Sequence, residues 1–371
     1  MAKPALVSVC VTDDSGDSEI YQPTPGNAVS ALGPSEASPP PPEAGVDGFE
    51  GVRRSLKEQQ VSSRAANIIL QSWRSGTKKQ YNVHLKKWAK FCCKRKINSL
   101  QASVGNALDF LTDLFEAGRS YSTINTARSA LSTMLLVDGR SSFGTHPLVI
   151  RFMKGVYNAR PPVSRYIDTW DVNIVIKFLL KLSLVKDLST KNLTLKLCML
   201  MALITGQRVQ TLHLLELSGM KQSIFGFSFT LQKVLKHSRG GKGLPTLVFK
   251  AYPKDRRLCV ITVLKEYLFR RKARVSKSEN SLFVSYNRPF KSVTASTISR
   301  WIKTVLCQAG IDTNVYKAHS TRAASCSKAQ SQDLPISDIL KAGGWSNAKT
   351  FGTFYSKPVE TRSFAEAVLK L

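Results

Sequence analysis

Residues 341–357 read KAGGWSNAKTFGTFYSK, and the role of the single tyrosine in this stretch decides what kind of fold the second half of the chain must be. On spacing alone Tyr355 groups with Phe351 and Phe354 as an aromatic that docks a short last helix onto a core. The other reading makes it a nucleophile. A phenol with a pKa near ~10 is a poor nucleophile unaided, so that reading requires cations and proton-handling groups from elsewhere in the chain.

Three other stretches carry such groups. LITGQRVQTLHLLEL, residues 203–217, sets Arg208 behind a very apolar segment, with no acid after it before Glu216. An arginine beside a core requires an anionic partner, either a carboxylate or a phosphate. LKHSRGGKG, residues 235–243, places Lys236, Arg239 and Lys242 on a turn-rich tip, where any of them also reads as a solvated charge. KAHSTRAASCSKA, residues 317–329, spaces His319 and Arg322 three apart. On a helix that spacing puts both on one face, where they can converge on an anion; it equally describes a helix-start histidine with a solvated arginine.

The order Arg, hairpin Lys, His-x-x-Arg, Gly-Trp, Tyr resembles the tyrosine recombinase family, the phage-integrase type. Within it the chain is most similar to the recombinases of DIRS-type retroelements. The resemblance spans residues 61–371 and implies a mainly α fold with a small β-sheet: a helical core-binding domain over 61–160 and an α+β integrase-like catalytic domain over 161–371, behind a tail over 1–60. It implies that Arg208 and Arg322 grip the nonbridging oxygens of a scissile phosphate, that Lys236 protonates the leaving 5′ oxygen, and that His319 assists proton transfer. Trp345 would donate its indole N–H to the phosphate, and Tyr355 would attack phosphorus to form a 3′-phosphotyrosyl link. Such proteins clamp double-stranded DNA and assemble as tetramers on paired sites. The chain departs from the family pattern at Thr211, where many members carry a carboxylate, and in the ten-residue spacing of Trp345 and Tyr355. Lys242 remains an alternative to Lys236. The implied function is site-specific recombination that integrates a mobile element; a type IB topoisomerase and a domesticated DNA-binding protein that has lost catalysis are the alternatives.

The charge suits a nucleic-acid partner. There are 54 Lys and Arg against 25 Asp and Glu, a formal net charge of +29. Residues 1–51 carry one basic and eight acidic side chains, −7, which leaves +36 on the other 320 residues (53 basic minus 17 acidic). Seven cysteines with no CxxC read as free thiols in a reducing compartment. No stretch is apolar over about 18 residues and no secretory signal is visible, so the expectation is a protein of the nucleus, or of the cytosol in transit, with no membrane partner. No metal-ligand spacing and no phosphate-binding glycine loop appears, so no cofactor is expected.

Residues 1–60 hold eight of the 16 prolines and few periodic apolar residues, which predicts disorder. Helical periodicity then begins. Thr77 with Gln80 predicts a capping box, followed by Tyr81, Leu85, Trp88 and Cys92 on one face, while Lys78, Lys79, Lys86, Lys87, Lys90 and Lys94 form a basic face for DNA. Further helices are predicted from Val104 toward Gly118, after Ser122, and at Pro147, with a linker over 158–166. Residues 190–206 predict a core helix, and alternation over 224–236 and 244–252 predicts a hairpin. TASTISRWIKTVLCQA, residues 294–309, predicts a helix with Ser296 near its cap, offering Arg300 and Lys303 to a groove or Ile298, Ile302 and Leu306 to a core. The segment after Tyr355 has Phe364, Val368 and Leu369 at helical spacing, for docking on its own core or on a neighbouring protomer.

Overall fold

The computed structural model describes residues 48–137, 141–163, 166–182, 184–235, 238, 243–345 and 347–357. The chain divides into two compact units, Met1–Val163 and Ser164–Leu371.

The described part of the first unit is helical: α1 Phe49–Glu58, α2 Ser63–Gln71, α3 Ser75–Arg95, α4 Val104–Glu116, α5 Tyr121–Leu131 and α6 Pro147–Ala159, with a minimal ladder of β1 Leu136–Val137 and β2 Ser141–Ser142 before α6. Local chemistry sets the ends. Ser103 accepts from the Asn106 amide and Asn106 reciprocates, a capping box that opens α4. Ser120 caps α5 through the Thr123 amide, and Pro147 takes the first position of α6, where no amide donor is missed. The core gathers Leu85, Trp88 and Cys92 of α3 with Phe110, Leu111, Ile124, Leu131 and Val149. Trp88 is fully buried, and its indole N–H donates to the Ser99 carbonyl at 3.0 Å.

Two expectations are corrected here. The Thr77–Gln80 pair is no N-terminus: α3 starts at Ser75 with Arg74 in the cap position, so Thr77 lies inside the first turn. The disorder expected through residue 60 does not hold over Phe49–Glu58. Phe49 and Val52 are buried, Phe49 sits 5.9 Å from the Trp73 ring, and Ser55 Oγ donates to the Met134 carbonyl at 2.9 Å. Ten mostly polar residues carry too weak a stripe to fold alone, and the tertiary core supplies the missing stability.

The second unit contains α7 Val172–Lys181, α8 Thr190–Thr205, the short α9 Val209–His213, strands β3 Met220–Ser223, β4 Gly226–Thr230 and β5 Thr246–Lys250, then α10 Val260–Lys272, α11 Ala295–Gln308, α12 Ser320–Gln330, α13 Ile336–Gly343 and α14 Ala348–Phe354. The sheet is antiparallel in the order β3-β4-β5, with Phe227 opposite Phe249 on the buried face. The predicted hairpin is β4–β5. β3 was not signalled, because three of the four residues of MKQS are exposed and its pairing comes from the register with β4.

α8 is the buried spine of the unit, and even Lys196 within it is fully enclosed. Its ammonium donates to the Leu179 carbonyl at 2.9 Å and to that of Leu182, satisfying carbonyls left open at the end of α7. Burial pushes its pKa down to about 8, with nearby Asp255 opposing the shift and Arg257 adding to it. α11 fits both readings of its sequence: Ile298, Ile302 and Leu306 are buried, while Arg300 and Lys303 are exposed. Its cap is Thr294, which accepts from the Thr297 amide, with Ser296 close by in the first turn. The six described cysteines are all free thiols, and no described helix is long and apolar enough to cross a membrane.

Because α1 belongs to the core of the first unit, Phe49→Ala is expected to destabilise the chain by about 3 kcal/mol. A urea melt of the full chain checks this, and an unchanged midpoint would detach α1 from the core.

Candidate active site

The site is built on α12, whose buried positions around Arg322 are small: Ser320, Thr321, Ala323, Ala324, Cys326 and Ser327. Small side chains let α13 and α14 approach closely, and Ala323, Cys326, Ile339, Phe351 and Tyr355 form a separate apolar cluster there. Tyr355 follows α14 as its C-cap residue. Its backbone is held by Ser327, whose hydroxyl donates to the Tyr355 carbonyl at 3.0 Å and accepts from the Lys357 amide at 2.9 Å.

At Tyr355 packing coincides with a proton-handling neighbour. Its ring is packed, with 8% of the residue exposed, yet its hydroxyl lies 3.2 Å from His319 Nε2. His319 itself is exposed and stands at the N-cap position of α12. Phe351 is the packing residue expected, whereas Phe354 is corrected: it is 54% exposed, because α14 turns it away from α12 and α13.

Arg322, also on α12, is 2% exposed. Nη1 donates to two carbonyls, Gly206 O and Gly343 O, each at 2.7 Å. Its guanidinium carbon lies 3.6 Å from the Trp345 ring centroid and 5.0 Å from that of Tyr355. Nε and Nη2 are buried and have no acceptor of hydrogen-bonding geometry among the described residues, and the same holds for the indole nitrogen of Trp345. Burial pushes the Arg322 pKa down to about 10 and the positive charge of Arg208 adds to this; the nearby Tyr355 hydroxyl pulls the other way, although no well-formed hydrogen bond joins the two. The group remains cationic at neutral pH, and buried donors that lack an acceptor are costly to a fold.

Glycine is required at both carbonyls. Gly206 adopts φ +57°, and a Cβ there would lie 2.9 Å from Cys326 Sγ. A Cβ on Gly343 would overlap the Trp345 ring at 1.9 Å. Between these turns Gln207 forms a strut: its Nε2 donates to the Ala342 carbonyl at 2.5 Å and its Oε1 accepts from Thr211 Oγ1 at 3.2 Å. Thr211 is thus buried and engaged by Gln207. Glu216 faces elsewhere, pairing with Lys233 at 2.6 Å.

The chain that enters the unit supports the same turn of α12. Trp170 Nε1 donates to Ser320 Oγ at 2.9 Å, and Ser320 Oγ donates to the Lys317 carbonyl at 2.7 Å. Tyr316 donates to Asp168 Oδ1 at 2.7 Å and stacks on Tyr166, with ring centroids 5.7 Å apart. Sequence reading missed Trp170, Ser320, Gln207 and the two glycine carbonyls, since their roles lie in backbone acceptors and in partners up to 150 residues away.

Of the expected site residues, His319, Arg322, Trp345 and Tyr355 come together, with Arg208 near enough for its charge to act on Arg322. Lys236 and Lys242 lie outside the described residues, as does the helix expected around Phe364. Among the groove candidates Lys79, Lys86, Lys87 and Lys90 are exposed on α3 and Lys78 is half-buried, while Arg300 and Lys303 are exposed on α11.

No protein-family model matches the chain, and no curated protein matches it. Solved structures do. The XerH site-specific recombinase bound to a palindromic difH substrate, in a post-cleavage complex, aligns at a TM-score of 0.56 and 15% identity over 86% of this chain and 88% of that one. Its pre-cleavage complex aligns at 0.53 and 15% over 88% and 90%. The Tn1549 transposon integrase in complex with transposon right-end DNA aligns at 0.52 and 13% over 88% and 98%. The chain has the mainly α, integrase-like fold of the tyrosine recombinases.

The contact of Gly206 with Cys326 provides a test of the clamp around Arg322. Gly206→Ala is expected to cost about 2 kcal/mol, from the positive φ and the clash together. In a double-mutant cycle with Cys326→Ala, about 1 kcal/mol of that should be recovered as coupling; zero coupling in urea melts would contradict the close approach.

Proposed function

We propose that the protein is a site-specific DNA recombinase that cuts and rejoins strands through a 3′-phosphotyrosyl intermediate. The observation that carries this reading is the approach of His319 Nε2 to the Tyr355 hydroxyl at 3.2 Å beside a buried arginine whose Nε and Nη2 lack an acceptor. An anion with several acceptor oxygens is the natural complement of those donors, and a phosphodiester has that form.

In the proposed step, Tyr355 Oη attacks phosphorus while its proton passes to His319 Nε2. The phosphorus–O5′ bond breaks, and Lys236, or Lys242 in its place, gives a proton to the departing 5′ oxygen. Arg208 and Arg322 hold the nonbridging oxygens, where negative charge accumulates, and Trp345 contributes its indole N–H. One phosphodiester replaces another, so the bond energy is kept in the phosphotyrosyl link. Attack by a 5′ hydroxyl from a second strand reverses the step and completes the exchange. The Arg322–Trp345 stack fixes the guanidinium plane before substrate arrives, so little reorganisation remains at the moment of attack.

DNA affinity in this reading comes from phosphate contacts by the basic faces of α3 and α11, with Lys78, Lys79, Lys86, Lys87, Lys90, Arg300 and Lys303 as contributors, and it falls steeply with salt. The remaining elements rest on the sequence resemblance: integration of a DIRS-type mobile element, assembly as a tetramer on paired sites, and work in the nucleus. A type IB topoisomerase would share the covalent step without needing paired sites. A domesticated DNA-binding protein would share the fold without the step, and the retention of histidine, both arginines, tryptophan and tyrosine argues against that loss.

A nicked suicide duplex containing the target site should trap the full chain as a covalent adduct, and Tyr355→Phe should lower trapping by at least about 10³-fold while leaving DNA binding unchanged. An adduct retained by the phenylalanine variant would overturn the nucleophile. Binding without any adduct in the folded wild type would favour the non-catalytic protein, and trapping without exchange between paired sites would favour the topoisomerase.

A further inference from the structure

The first unit contains a basic helix face whose lysines form no ion pair among the described residues. α3 spans 21 residues without an acidic side chain and carries Lys78, Lys79, Lys86, Lys87, Lys90, Lys94 and Arg95. Arg95 pairs with Asp109 at 3.0 Å; none of the six lysines has a carboxylate within ion-pair distance among the described residues. Such a face repels itself and seeks a polyanion.

A polyanionic segment of the same chain begins at this face. Residues 1–47, outside the described residues, carry Asp13, Asp14, Asp17, Glu19, Glu36, Glu43 and Asp47 against Lys3 alone, a net −6 (1 basic minus 7 acidic). The point where that segment joins the fold is fixed on α3. The Gly48 amide donates to Asn82 Oδ1 at 2.6 Å. Asn82 lies four residues from Lys78 and from Lys86 and three from Lys79, so these lysines share its face. The described chain therefore starts at a residue hydrogen-bonded to α3 between Lys78 and Lys86. A cavity of about 200 Å³, lined by Gly48, Leu85, Lys86, Trp88 and Met134 among others, adjoins the same point.

We infer that the acidic segment 1–47 docks on the lysine face of α3 and acts as an intramolecular competitor for nucleic acid. A tether of a few residues raises the local concentration of Glu43 and Asp47 near Lys78, Lys79 and Lys86 to the millimolar range, so weak exposed ion pairs become populated without a preformed pocket. Phosphates outcompete the segment when many are contacted at once, as on an extended duplex, and fail to do so when few are. The segment therefore filters short or non-specific contacts. The competition with DNA rests on the recombinase reading; the docking does not.

The test uses the full chain. Carbodiimide coupling, which joins a carboxylate to a lysine amine at contact distance, is mapped by peptide mass spectrometry at low and high salt. The expected result is coupling from Glu36, Glu43 and Asp47 to Lys78, Lys79, Lys86 and Lys90, abolished at about 0.5 M salt. Coupling spread evenly over the lysines of both units, or absent from α3, would overturn the docking. In parallel, a full-length variant with all seven tail carboxylates changed to amides should bind an arbitrary 30-base-pair duplex about tenfold more tightly at low salt, with the difference lost at high salt. Equal affinity of the two proteins for DNA would overturn the competition. Coupling to α3 in a chain that binds no duplex at all would sustain the docking and remove the recombinase reading.

Discussion

The fold around the active site depends on one buried cation. Arg322 is almost wholly enclosed, and its Nη1 is held by the carbonyls of Gly206 and Gly343, which come from turns 137 residues apart in sequence (343 minus 206). A charge taken out of water is tolerated when its hydrogen bonds are met, and here they are met in part: Nη1 is satisfied, while Nε and Nη2 have no acceptor among the described residues. Several local features follow from that constraint. Gly206 is left-handed, a side chain on Gly343 would overlap Trp345, the Trp345 ring lies against the guanidinium, and the buried positions of α12 around Arg322 are small. Buried donors without an acceptor carry a cost in the free protein, which in the proposed reading a bound anion relieves.

Much of the fold could be read from the sequence, and the reasons it could be differ by region. Helices α4, α5, α6, α8 and α11 announce themselves through apolar periodicity long enough to exceed local noise and through signals such as Gly118 and Pro147, whereas the caps Ser103 and Ser120 emerge only from the structure. α1 does not, because a ten-residue amphipathic stripe borrows its stability from Trp73, Met134 and the rest of the core, and no window of its own sequence contains those partners. β3 is hidden for a related reason: strand pairing is a property of the register between two segments, and MKQS by itself shows no alternation.

The site divides in the same way. The residue types His319, Arg322, Trp345 and Tyr355 are visible as an ordered set, and the structure brings these four together. Their support is not visible, since it consists of backbone carbonyls at Gly206 and Gly343, the Gln207 strut and the Trp170–Ser320 hydrogen bond. A carbonyl carries no sequence signature. Even the opening ambiguity over Tyr355 came from treating packing and chemistry as exclusive, whereas a ring packed in the α12–α14 cluster is what aims its hydroxyl at His319. Phe354, which spacing groups with the packing aromatics, is instead exposed.

The central claim is that the buried guanidinium of Arg322 neutralises charge on a phosphoryl oxygen during attack by Tyr355. Replacing one nonbridging oxygen of the scissile phosphate with a methyl group removes that charge from the substrate. The most direct measurement is the single-turnover rate of covalent adduct formation by Arg322→Ala on the ordinary phosphodiester and on the methylphosphonate. The account predicts a loss of about 10²- to 10³-fold or more on the phosphodiester, with most of it recovered on the methylphosphonate. A folded variant that is equally impaired on both substrates would contradict it.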